Sequence, residues 1–507
     1  MSQQNPAESV ASAQAPVLEK LPHSSFVIIT ILLGAAFVTN LNETILGVAL
    51  PQIMSDLNIQ PSTGQWLNTA FLLTMATIIP TMGWLQLRFS TRRLYIWATA
   101  IFSVGTLIGG LAPTFEILLT ARILQASGTA VMFPLMITTM MVLVPNNLRG
   151  RVMGNIGIVM SVAPALGPAV SGLILNFFGW RWLFWLILPI AVFACVAGGR
   201  KIVSLGDHAK AKLDVFSVIL SAVAFAGLIY GLSSFAEAAR GTVQFSPWIP
   251  TMIGAAVMVY FVLRQLRLAK EGKAFLDLTI FKVKSYAVSL GLMAIAMVYL
   301  FGIGILVPIY VQQSLGMTPL ETGFILLPGG LAMGLLSPVI GRLFDKVGSR
   351  KLLIPSSFGV SAAIWYMTTF DASTTFVQVL IANSILMISL GFMFTPLFSV
   401  SMMRVPMHQY SHGSSITGAT QQVFGAAGTA LFVTILTIQG LAATKAGADA
   451  QESVAAGVHS AFLVGALLSL IAIAMSFWLD DSKKLIADAM ADGNAAPTAD
   501  GAAVAGH

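Results

Sequence analysis

A chain of 507 residues that is 56% hydrophobic and only 9% charged cannot bury its apolar surface in one water-soluble core, so lipid must act as part of its solvent. The net charge of +7 could suggest nucleic acid, but the basic residues fall between long apolar runs, the distribution expected of membrane topology. A single cysteine, Cys195, excludes internal disulfides and any metal site built from cysteines.

The tail before Lys20 has neither a basic region nor a cleavable apolar core, so no signal peptide is expected. Hydropathy then gives fourteen candidate spans: 25–50, 64–86, 94–113, 115–144, 151–177, 182–203, 214–236, 247–265, 285–312, 319–341, 351–370, 374–402, 413–441 and 458–479. The expected fold is an all-α polytopic membrane protein of fourteen helices. Its parts are a tail (1–24), a six-helix bundle (25–203), a linker with two extra spans (204–284), a second six-helix bundle (285–479) and a disordered tail (480–507). The stretch Ala443–Val458 reads as a polar, solvated loop.

Charge fixes the expected orientation. The loops after the even-numbered spans hold 20 Lys/Arg, among them Arg88, Arg92, Arg93, Arg350 and Lys351. The opposite loops hold three, Arg181, Arg240 and Lys445. Such a bias places both termini in the cytoplasm of a multi-pass protein of the cytoplasmic membrane.

Two charges remain deep inside spans, away from their ends. Glu43 lies in Ser25–Leu50, about 12 Å along the helix from Pro51. Arg122 lies about 10 Å from Phe115, where the fourth span enters from the same face. An ionisable group in hydrocarbon costs several kcal/mol unless it is paired or protonated, so this acid and base at matched depth are the candidate coupling residues. Gln125, one turn deeper, and Asn40 or Asn42 can complete a polar network.

The chain also repeats itself. At an offset of 258, Pro61, Pro80, Gly83, Leu85, Arg88, Arg92 and Arg93 align with Pro319, Pro338, Gly341, Leu343, Lys346, Arg350 and Lys351. Related halves around a midplane cavity are the usual architecture of secondary transporters. The same offset puts Phe301 and Leu380 opposite Glu43 and Arg122, so the scaffold repeats while the charged pair does not.

The loop Gly341, Leu343, Asp345, Lys346, Gly348, Arg350, Lys351 resembles the cytoplasmic gating signature of the major facilitator superfamily. Its first copy, around Gly83, Arg88 and Arg92, has Leu87 in place of the acid and Ser90 in place of glycine. Gly157, Pro164, Gly167, Pro168 and Gly172 in the fifth span are similar to the antiporter motif of that superfamily's exporters. The first-span run Leu41–Pro51, Trp180-Arg181-Trp182, and Leu326-Leu327-Pro328-Gly329-Gly330 resemble fourteen-span drug:proton antiporters. The common pattern there has Asp where this chain has Asn42, and a one-residue shift turns a helical side chain by about 100°.

The resemblance implies proton-coupled export of lipophilic drugs by alternating access. Hydrocarbon disfavours the charged form of Glu43 and a nearby guanidinium favours it, so a carboxyl balanced between them can carry a proton while Arg122 tunes it. Polar cavity candidates are Tyr299, Tyr310, Gln312, Gln313, Asn383, Gln421 and Gln422. With no second embedded acid, neutral or singly charged lipophilic compounds are the expected substrates.

His408 and His412, four residues apart with no third ligand, read as structural and not as a metal site. No G-x₄-G-K-[ST] loop and no Ser/His/Asp constellation is present, so neither an enzyme nor a cofactor is expected. The expected partners are small molecules, protons and the bilayer, with a single chain sufficient. Export of a lipid or metabolite, and uniport without proton coupling, are the alternatives on the same fold. A non-transporting receptor is a more distant one.

Overall fold

The structure is a computed structural model that describes residues 22–59, 61–144, 148–203, 214–239, 246–403, 405–479 and 481. The expectations placed on the two tails lie outside the described residues. Fifteen α-helices follow one another among the described residues, with no strand between them. They are α1 (His23–Asp56), α2 (Pro61–Ile78), α3 (Met82–Arg88), α4 (Thr91–Leu111), α5 (Phe115–Leu143), α6 (Arg149–Phe177), α7 (Arg181–Lys201), α8 (Val215–Ala239) and α9 (Trp248–Lys270). The chain continues with α10 (Lys284–Gln313), α11 (Pro319–Val347), α12 (Arg350–Met367), α13 (Phe376–Met403), α14 (Tyr410–Lys445) and α15 (Ala450–Trp478).

Helices are the expected outcome for such apolar runs, because in lipid each backbone N–H and C=O must be satisfied within its own segment. Twelve of the helical segments among the described residues are long and apolar enough to cross a membrane. Those twelve do not include α6 or α12.

Sequence punctuation sets the ends. Ser90 accepts from the Arg93 N–H at the start of α4. Thr318 and Glu321 form a reciprocal capping box at the start of α11. Gly348 ends α11 at φ +90°, in the region only glycine adopts freely. Pro80 breaks the second span into a 3-10 turn between α2 and α3, whereas its repeat partner Pro338 sits inside an unbroken α11.

Two expectations are corrected. Ala443–Val458 is not a loop: α14 runs to Lys445, and Asp449 caps α15 by accepting from the Glu452 N–H at 2.7 Å. Alanine-rich sequence favours helix once capped, and Ser453, Gly457 and Val458 are buried. The first helix also passes through Pro51 and ends at Asp56. There Asp56 Oδ2 accepts from Trp180 Nε1 (3.0 Å) and Arg181 Nη1 (2.7 Å), tying α1 to the start of α7.

Helices α1, α2 and α4–α7 pack on one another, as do α10–α15. The two groups meet where α6 lies along α11 and where α14 touches α2, α3 and α5. The pair α8–α9 stands beside them, with α8 in contact with both α2 and α14.

Candidate functional site

Where α1, α2, α5 and α6 face α10 and α14, a cavity of about 60 Å³ remains. Its polar lining is Thr39, Asn40 and Glu43 from α1, Thr129 from α5, and Gln421 and Gln422 from α14. Ala36, Met75, Ile79, Ala130, Phe133, Val159, Phe301 and Gly418 complete the wall. Phe301, the repeat counterpart of Glu43, thus sits on the other group's side of the same space. Glu43 is half-buried, and the surface it keeps faces this cavity.

Arg122 is 1% exposed. Its Nη1 donates to Gln125 Oε1 (3.0 Å), its Nε donates to the Leu67 carbonyl (3.4 Å), and its guanidinium lies 4.1 Å over the Phe71 ring. Gln125 Nε2 donates in turn to Thr106 Oγ1 (3.0 Å) and Asn42 Oδ1 (3.3 Å). The network therefore ties α1, α2, α4 and α5 together through one buried cation.

Among the described residues the ion pairs within 4.0 Å are Arg181–Asp56, Arg264–Asp214 and Lys273–Glu271. Glu43 and Arg122 are not among them and make no direct ion pair. The reason is the one-residue register: Asn42 points toward Gln125, and the next side chain, turned by about 100°, points to the cavity. Asn42 Nδ2 is left buried without a hydrogen-bond partner.

The other sequence candidates fall as follows. Asn40 Nδ2 donates to the Val159 carbonyl of α6 (3.4 Å). Gly167 packs against Thr44 of α1, so close that a Cβ would overlap its side chain, while Gly172 faces open space. The side chains of Gly157, Pro164 and Pro168 lie outside the described residues. Tyr299 donates to the Gly465 carbonyl (2.9 Å), and Tyr310 to that of Asp371 (2.6 Å). Asn383 Nδ2 donates to the Ile325 carbonyl (3.4 Å), and Gln312 and Gln313 are exposed at the end of α10. None of these five lines the cavity.

The repeated loops carry matching contacts. Arg92 Nε donates to the Gly199 carbonyl at the end of α7 (2.7 Å), and Arg350 Nη2 donates to the Phe477 carbonyl at the end of α15 (3.0 Å). Arg88 lies in the last turn of α3, Asp345 in the last turn of α11, and Gly341 is buried within α11.

A junction at this basic end escaped sequence reasoning. A Cβ on Gly83 would lie 2.9 Å from His412 Nδ1, so the missing side chain lets α3 and α14 approach. His412 Nδ1 accepts from the Asp277 N–H (3.3 Å), and Gln409 Nε2 donates to Asp277 Oδ2 (2.7 Å). Nearby, the hydroxyls of Thr138 and Ser414 bond α5 to α14 at 2.8 Å. The one available signal was the i, i+4 histidine spacing.

Two packed groups of membrane-length helices, meeting around an internal cavity that holds a carboxylate, define a multi-pass helical membrane protein of the secondary-transporter kind. The chain belongs to the Major Facilitator Superfamily, whose sequence profile matches residues 32–429.

Relatives run along nearly its whole length. It is 36% identical over 462 residues to the "Uncharacterized MFS-type transporter YcnB" of Bacillus subtilis, covering 91% of this chain and 96% of that one. It is 35% identical over 461 residues to "Lincomycin resistance protein LmrB" of Listeria monocytogenes, covering 90% and 97%. It is 28% identical over 408 residues to a "Multidrug resistance protein B homolog" of Mycobacterium tuberculosis, covering 80% and 75%. Among solved structures, the human organic anion transporter MFSD10 superposes with a TM-score of 0.63 at 13% identity, covering 90% of this chain and 99% of that one. The proton:xylose symporter XylE superposes at 0.59 and 13%, covering 90% and 96%. At such identities the two share the fold alone.

Proposed function

We propose that the protein exports lipophilic compounds across the cytoplasmic membrane in exchange for protons, by alternating access of two related six-helix bundles. One observation carries this reading: Glu43 projects into a cavity whose opposite wall is built by α10 and α14. A carboxyl there senses both the proton and the occupant, and it shares its space with the two elements that must move against each other. Relatives named for lincomycin and multidrug resistance support drug-like substrates.

In this reading all fourteen long segments cross the membrane, α2 and α3 counting as one, with α6 and α12 added to the twelve. The bundles are 25–203 and 285–479, the inserted pair lies in 204–284, and the basic loops with both tails face the cytoplasm. Glu43 carries the proton. Arg122 stabilises its ionised form across space while its own charge is held by Gln125 and Phe71.

The test is accumulation of a fluorescent lipophilic cation in cells carrying wild type or Glu43→Gln, each with and without an uncoupler. Export by wild type that collapses with the uncoupler, and its absence in the variant, supports the reading. Full export by Glu43→Gln overturns the carrier assignment, and export indifferent to the uncoupler favours uniport.

A further inference from the structure

The inserted pair has no evident part in coupling, yet α8 packs against residues that line the cavity. Phe225 (8% exposed) and Ile229 (1%) are packed with Phe71, Met75 and Ile79 of the second span, Ala126 and Ala130 of α5, and Ala419 of α14. Three members of that cluster, Met75, Ile79 and Ala130, also line the cavity. Phe225 and Ile229 thus share one packed cluster with a layer of side chains that borders the space holding Glu43. Part of that layer is alanine, and part is methionine, which re-packs readily around different shapes.

The other face of α8 is lipid-like. Ile219 is 54% exposed and Val223 44%. The helix thus stands between the cavity layer and the bilayer, across the seam where α2 of one bundle meets α14 of the other.

Its position is fixed by α9 and α2. A Cβ on Gly227 would lie 2.9 Å from Gly254 Cα, and one on Gly231 would lie 2.6 Å from Thr251 N, so α9 clamps α8 backbone to backbone. Trp66 of α2 stacks on Tyr230 at 6.1 Å. At the basic end Gln265 Nε2 donates to Ser217 (2.8 Å), while Gln265 Oε1 accepts from the Phe275 and Leu276 N–H groups (2.9 and 3.1 Å). A helix held this firmly behind a pliable layer sets how far that layer can yield.

We propose that α8 is the lipid-side wall of the substrate cavity, and that Phe225 and Ile229 limit the size of the lipophilic compound it accepts. This rests on the export reading above. It assigns the inserted pair a role in selectivity that the two bundles cannot fill, because without α8 the seam behind Met75 and Ile79 opens to lipid.

The experiment uses the full chain in proteoliposomes with an imposed proton gradient. Initial-rate kcat/KM is measured for tetramethylphosphonium, tetraethylphosphonium and tetraphenylphosphonium. Removing the bulk behind the cavity in Phe225→Ala/Ile229→Ala raises kcat/KM for the largest transported cation relative to the smallest by about 10-fold. The lipid-facing control Ile219→Ala/Val223→Ala keeps the wild-type ratio. If the double variant does not fold, Phe225→Leu and Ile229→Val carry the same test with a smaller shift in the same direction.

A folded wall variant whose ratio equals wild type, or a control that shifts as much, overturns the proposal while leaving export intact. A wild type that moves none of the three cations overturns the export reading and the wall with it.

Discussion

Gln125 donates to Asn42 and not to any acid, so the residue of α1 that joins the arginine network is neutral. The carboxylate one position on is released from that network and faces the cavity. The carboxylate and the arginine network are thereby separated by one residue of helix.

The first prediction follows from that division. Gln125→Leu removes the acceptor for Arg122 Nη1 and the donor to Asn42 Oδ1, leaving both buried without those partners. A stranded buried charge is expensive, so purified protein should lose about 3 kcal/mol of stability, read as a lower thermal midpoint in detergent. Glu43→Gln makes no such orphan and should melt within a degree or two of wild type. A Gln125→Leu protein as stable as wild type contradicts the network.

How much of this was legible in sequence depends on the kind of signal. Twelve of the fourteen expected spans came through among the described residues because lipid demands long apolar runs, and Glu43 and Arg122 stood out because no other charge lies deep within an apolar run. Facing was not legible. The spans are apolar all round, so period carries little direction, and no rule distinguished Gln421 at the cavity from Gln313 at the surface. Tyr299 and Tyr310 looked equally suitable as cavity groups, yet a buried hydroxyl takes whatever acceptor its own bundle offers, here Gly465 and Asp371.

Arg92 and Arg350, which the 258-residue repeat pairs, bond the carbonyls of Gly199 and Phe477. Each bond is exposed, so Arg92→Ala and Arg350→Ala should each cost about 1 kcal/mol or less. The sites share no partner, so the double variant should show the sum of the two losses in thermal unfolding. A marked excess over the sum would mean that the two latches are coupled.

Gly83 and His412 predict a rescue. Gly83→Ala puts a methyl 2.9 Å from His412 Nδ1, which must then turn from the Asp277 N–H. Transport should slow several-fold with little loss of folded protein, because the displaced group is the end of a side chain. His412→Ala in the same chain clears the space, so the pair should transport faster than Gly83→Ala alone. The measurement is a double-mutant cycle on initial rates; additive losses would show that the two do not touch during turnover.

Asp277 links the α9–α10 segment to α14 and gives that junction a pH dependence. Burial alone would raise its carboxyl, but bonds from the Thr279 N–H and hydroxyl and from Gln409 Nε2 outweigh it and hold the group below the usual carboxylate range. A folded value below the unfolded one, near 3.9, contributes stability that is complete above about pH 4. It is lost as pH falls through the folded value. Asp277→Asn should therefore lower the thermal midpoint at pH 7, by an amount equivalent to about 1 kcal/mol because the group is partly exposed. The gap between variant and wild type should then narrow as both are acidified below about pH 4. A gap that stays constant down to pH 3 would mean that the ionised carboxylate is not what fastens the segment to Gln409.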